Sequence, residues 1–217
     1  MNYVVNKLVF FRFISGLILI IISSFLALYF VKYQFGGYDL SPIIDLSWRL
    51  SNSEMPGRDF INTIPPIVIV FLRIESFFGF SWFDLTILNI LAVILCYIFL
   101  GSYKDIVNRP LLYSFFIPMI LCYPLIYTNH IWHSSVSQYI SIIFCFSVYS
   151  CLHELNRNSN YTYYLFLMFM ASLLLVAAKQ NVAFPFIFTT IFYISLSRVS
   201  NKISCLAVIV FGAILGI

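Results

Sequence analysis

"IPPIVIVFLRIESFFGF", residues 64–80, is apolar enough to cross a bilayer, yet Arg73 and Glu75 stand near its middle. At the centre of a membrane helix each such charge costs about 2.5–3.5 kcal/mol on insertion scales. The two are two positions apart, so on a helix they point to different sides and pair poorly. Whether this segment crosses sets the sidedness of everything after it.

The surroundings are those of a polytopic α-helical membrane protein. Of 217 residues, 62% are hydrophobic and 9% charged, and the mean hydropathy is +0.97. Continuous apolar runs recur, where a barrel would show short alternating segments. Ile14–Val31 is the first run; Lys7 and Arg12 precede it and no small-residue cleavage site follows, which predicts an uncleaved signal-anchor. Further runs are Leu85–Tyr103, Pro110–Thr128, Ser134–Leu152, Tyr161–Ala178, Val182–Ser197 and Ile203–Ile217. The last stops short of the ~20 residues a span wants, so the chain is expected to be one transmembrane domain, cut off at its C-terminal end.

Loop charge decides the case of 64–80. If it does not cross, Lys7, Arg12, Lys104, Arg109, Arg157, Arg198 and Lys202 all share one side with the N-terminus. If it crosses, the last five move to the opposite face and the chain becomes positive-outside. The positive-inside bias favours the first arrangement, with the N-terminus cytoplasmic. Residues 32–84 then form one extracytoplasmic loop with juxtamembrane helices at about 43–54 and 65–79, the second entered through Pro65-Pro66 and ended at Gly79. That loop holds six of the eight acidic residues: Asp39, Asp45, Glu54, Asp59, Glu75 and Asp84. Shorter external turns follow at 128–134, "TNHIWHS", and at 179–181, "KQN".

The loop carries the candidate chemistry. Gly36-Gly37 permits a tight turn just before Asp39. "DLSWRLSN", 45–52, places Leu46, Arg49 and Leu50 on one helical stripe with Trp48 beside it, and Pro56-Gly57 breaks that helix. A carboxylate at the bilayer surface can deprotonate an attacking hydroxyl, and an arginine or lysine can stabilise a departing phosphate. The plain alternative is a solvated loop whose acids pair with Arg49 and Arg58. His130 and His133 are three apart, as metal ligands on one helical turn would be. Without a visible third ligand, hydrogen bonding to headgroups explains them more simply, and a divalent metal stays open. Lys179 snorkels from a helix end or, with Gln180, holds an anionic headgroup. The five cysteines form no CxxC pair and read as small buried hydrophobes. The net charge of +4 is spread thinly and offers no patch for nucleic acid.

At these residues the sequence resembles the GT-C superfamily of integral-membrane glycosyltransferases. The order of parts is similar: one span, a long outer loop with an acid just past it, a Pro-Pro helix that does not cross, and a "KQN" turn later. Locally, "YDLSPIIDLSWRLSNSEMPGRDFINTIPP", 38–66, is similar to that family's early Asp, aromatic-Arg-Leu helix, Arg-Asp-Phe turn and Pro-Pro. Gly57 stands where the family often has Tyr, and Ser53 where it often has Gly.

The resemblance implies a catalytic base at Asp39, with Asp45 about two turns later. It places Arg58 and Asp59 at the Arg-Asp-Phe positions, and Arg58, Asp59, Lys179, Gln180 and His133 become candidates for substrate or phosphate binding. It further implies an inverting transfer from a polyprenyl-phosphate-linked sugar to a lipid-linked or surface glycan acceptor, in contact with membrane lipids. High Ile, Phe, Tyr and Asn usage fits an AT-rich bacterial gene, and the expected location is the bacterial inner (plasma) membrane. Two other functions are kept. A flippase or transporter of lipid-linked sugars would place ionisable groups near the bilayer midplane, where the runs from 85 to 178 have almost none. A polymerase of lipid-linked oligosaccharides would carry its large polar loops later in the chain.

Overall fold

The structure, a computed structural model, describes residues 2–31, 41–60, 64–75, 82–101, 103–127, 133–156, 161–197 and 201–217. It is all-α, and among the described residues there is no named strand. The chain packs as two compact units, Met1–Ser135 and Val136–Ile217.

In the first unit α1 (Asn2–Phe30), α4 (Trp82–Leu100) and α6 (Ile117–Tyr127) pack on one another. Between α1 and α4 lie two short helices, α2 (Ser41–Ser51) and α3 (Pro66–Glu75), which pack on each other; α3 also touches α4. Pro66 opens α3 at the first helical position, where its missing N–H costs nothing. With ten residues α3 is about 15 Å long, roughly half the hydrocarbon thickness of a bilayer. Leu46 and Leu50 of α2 and Val68 and Leu72 of α3 are all buried, and the two helices pack on each other. Ser47 is buried with them and its hydroxyl lies 3.4 Å from the Leu72 carbonyl. The buried face of α2 is therefore Leu46-Ser47-Leu50, while Arg49 lies at its edge and Trp48 is half exposed. Ser47 joins that buried face, which spacing alone did not give, because a serine that reaches a backbone acceptor behaves as an interior residue.

A short π-helical stretch, Leu112–Phe116, leads into α6, with the short α5 (Lys104–Val107) packed beside it. The Ile117 N–H reaches back five residues to the Leu112 carbonyl. The next carbonyl, at Tyr113, would need the N–H of residue 118, which is proline and has none. Tyr97 from α4 fills the gap, its hydroxyl 3.3 Å from that carbonyl. Its ring stacks on Tyr113 at 4.9 Å between centroids and on Phe13 at 5.6 Å. Gly16 of α1 makes the approach feasible, since a Cβ there would overlap the Tyr97 hydroxyl.

In the second unit α8 (Thr162–Ala178), α9 (Gln180–Leu196) and α10 (Lys202–Leu215) pack together, and α10 sits most closely on α8. The reason is a Gly212-x-x-x-Gly216 spacing. A Cβ at 212 would overlap the Ser172 hydroxyl, and one at 216 would lie 2.5 Å from the Leu173 carbonyl. α7 (His133–Asn156) reaches α10 through Cys151, whose Sγ is 3.8 Å from that of Cys205. All five cysteines are free thiols. Five hydroxyls inside the helices satisfy themselves: Ser15, Ser24, Ser141, Ser147 and Ser195 each donate to the carbonyl four residues back. That is how such residues sit in an apolar surrounding without an unmet donor.

Among the described residues three helical stretches are long and apolar enough to cross a membrane: Val9–Phe30, Phe83–Leu100 and Ser135–Leu155. The other apolar helices, Leu112–Ile126, Thr162–Ala178, Gln180–Leu196 and Lys202–Leu215, are shorter. The break at Lys179 ends one of these shorter runs and begins the next.

Candidate functional site

The stretch 45–60 folds into one polar cluster at the end of α2. Helix α2 stops in a Schellman turn: the Ser53 N–H donates to the Leu50 carbonyl at 3.2 Å and the Glu54 N–H to the Arg49 carbonyl at 3.0 Å. Ser53 occupies the left-handed position of that turn, φ 64°, where glycine is usual. The turn brings Glu54 back over the last turn of α2, and the helix C-terminus itself favours a cation there.

Arg49 is the hub. Its Nε donates to Asp45 Oδ2 at 2.8 Å and its Nη1 to Glu54 Oε2 at 3.0 Å, and its guanidinium carbon lies 5.2 Å from the centre of the Phe60 ring. A second turn follows. Gly57, at φ 82°, lets the chain reverse, and the Gly57 N–H donates to the Phe60 carbonyl at 2.9 Å. Asp59 Oδ2 accepts the Met55 N–H at 2.7 Å and Arg58 Nη2 at 2.7 Å, while Arg58 Nε meets Asp59 Oδ1 at 3.0 Å. Hydrogen bonding to Arg58, then to the Met55 amide, holds the Asp59 carboxyl below its ordinary 3.8. Asp45 and then Glu54 raise the Arg49 guanidinium, and Asp59 raises that of Arg58.

All five charges of 45–60 are thus spoken for within the stretch. Three carboxylates meet two guanidiniums, leaving one net negative charge at a half-exposed surface. Arg58 and Asp45 remain open to solvent, with side chains 66% and 56% exposed. Such exposed pairs add little stability individually. What they do is fix the loop's shape and hold Arg58 against Asp59 while its side chain stays open to solvent.

Of the residues singled out in the sequence, the structure brings Asp45, Arg58 and Asp59 into this one loop. Asp39, His130, the Gly36-Gly37 turn and Gly79 lie outside the described residues. His133 begins α7. Lys179 and Gln180 belong to the second unit, at the junction of α8 and α9. The Lys179 backbone is extended there; its N–H closes α8 on the Leu175 carbonyl and its carbonyl accepts the Val182 and Ala183 N–H groups that open α9. Gln180 is exposed in the first turn of α9. Among the described residues no group of three His, Cys, Asp or Glu is placed to hold a metal ion. In the sequence Arg49 figures only as a pairing partner for the loop's acids; the structure makes it the hub, bonded to both Asp45 and Glu54. Its Asp45 spacing of four was the available signal.

Compared with protein-family models, with curated proteins and with solved structures, the chain matches none of them.

Proposed function

We propose that the chain is an extracytoplasmic-facing membrane glycosyltransferase of the bacterial inner membrane, multi-pass with a cytoplasmic N-terminus. It moves a sugar from a polyprenyl-phosphate donor to a cell-surface glycan or lipid acceptor. One observation carries the reading. Two helices of eleven and ten described residues, α2 and α3, pack on each other between two helices of spanning length in the chain, and α2 ends in a charged turn. That turn lies in the segment whose sequence resembles the GT-C family. Asp39 takes the proton from the acceptor hydroxyl as it attacks the anomeric carbon, and polyprenyl phosphate leaves. Arg58, oriented by Asp59, meets the phosphate.

The test is transfer in membranes supplied with a polyprenyl-phosphate sugar. Asp39→Asn reduces transfer by about 10²–10⁴-fold, the usual worth of a general base, at unchanged protein level. Wild-type transfer by Asp39→Asn removes Asp39 from the role. A second reading rests on the self-pairing of 45–60: the loop is then a structural latch at the membrane surface with no chemistry of its own. In that case Arg58→Gln and Asp39→Asn change stability alone.

A further inference from the structure

At the other end of the first unit, where α1 begins and α4 finishes, lies a cleft of about 410 Å³. Its walls are Val9, Phe10 and Phe13 of α1, Ile98 and Gly101 of α4, and Tyr113, whose ring closes the Phe13–Tyr97–Tyr113 stack. Val107 completes the lining, and its carbonyl accepts a hydrogen bond from Arg12 Nη1 at 2.9 Å. Arg12, part-buried, is thus tied to a residue that lines the apolar cleft. In the sequence of α1 it follows Val9 and precedes Phe13 of the cleft wall, and among the described residues it meets no carboxylate. A guanidinium half withdrawn from water is costly unless an anion or further acceptors meet it. The sequence at this end is basic: Lys7, Arg12, Lys104 and Arg109 stand against Asp105 alone.

We infer that this cleft binds one anionic glycerophospholipid, its phosphate on Arg12 and one acyl chain along the aromatic wall. The charge selects an anion, and the planar fork of arginine suits phosphate oxygens. The apolar lining selects a tail, and the cleft has room for a single acyl chain but not for a long polyprenyl one. The site is separate from the 45–60 loop and does not rest on the proposed transfer.

The experiment is native mass spectrometry of the whole chain released from nanodiscs of equal phosphatidylglycerol and phosphatidylcholine. Wild type retains one phosphatidylglycerol per chain after delipidation. Arg12→Gln, which keeps a donor for the Val107 carbonyl but loses the charge, retains less than a tenth as much, and Arg12→Lys retains an intermediate amount. Val9→Trp, which fills the cleft and leaves Arg12 in place, also loses the lipid, and circular dichroism of each variant matches wild type. Equal retention by wild type and Arg12→Gln overturns the inference. So does equal retention of phosphatidylcholine, which marks ordinary belt lipid. Displacement of phosphatidylglycerol by polyprenyl phosphate at equal concentration overturns it in favour of the isoprenoid.

Discussion

Arg49 and Glu54 are bonded twice, through the backbone and through their side chains. The Glu54 N–H donates to the Arg49 carbonyl and Arg49 Nη1 donates to Glu54 Oε2, both at 3.0 Å. The helix stop and the ion pair are thus one device, and it depends on Ser53 holding a left-handed backbone.

Ser53→Gly should therefore stabilise the protein. A left-handed conformation costs an L-residue about 1–2 kcal/mol, and the greater freedom of glycine in the unfolded chain returns about 0.5–1 of it. The expected gain is a few tenths to about 1 kcal/mol. Thermal unfolding in detergent reads it as a small rise in Tm. Ser53→Val, a branched residue at positive φ, lowers it.

Arg49→Met removes the partner of two carboxylates and the cation over Phe60, while keeping the bulk of the stem. Amide exchange across 51–60 should accelerate, and proteolysis should begin there, with α4 and α6 unchanged. Arg49→Lys restores one ion pair but not the fork and falls between. Unaltered protection in Arg49→Met would mean that the Schellman turn alone shapes the loop.

The pH dependence follows from Asp59. Its carboxyl is depressed in the folded loop, so the unfolded chain binds the proton first as pH falls. The stabilisation is complete well above 3.8 and disappears as pH drops through the still lower folded value. Protection of the Met55 amide, which Asp59 accepts, should be flat in relative terms from pH 8 to 5 and fall in the acid range. Asp59→Asn lowers that protection at every pH and abolishes the acid step.

Gly212→Leu forces a side chain into the Ser172 hydroxyl and the Phe169 carbonyl of α8. Overpacking of this kind costs about 1–3 kcal/mol. Tm of the purified chain should fall, and α10 should exchange faster than α9. Leu215→Ala, on an exposed position of the same helix, should leave both readings near wild type.

Much of the fold was legible because helix ends coincide with polar punctuation. Pro65-Pro66 announces α3, Lys179 separates α8 from α9, and α10 begins at the lysine before its apolar run. Other features were not. The helix of α1 extends back to Asn2, past the polar residues where the apolar pattern ends. The π stretch arises from what Pro118 lacks, and its repair by Tyr97 joins residues far apart in the chain. In the loop, the spacing of four between Asp45 and Arg49 could be read directly. The Arg49–Glu54 pair could not, since it rests on a glycine-type turn built on serine.

If the segment containing α3 stays on one face of the membrane, α4 returns the chain to the side of its N-terminus. A reporter fused after Ile106 tests this most directly. The reporter should lie on the cytoplasmic side. A reporter active outside would mean that 64–80 crosses, and would contradict both the topology and the site built on it.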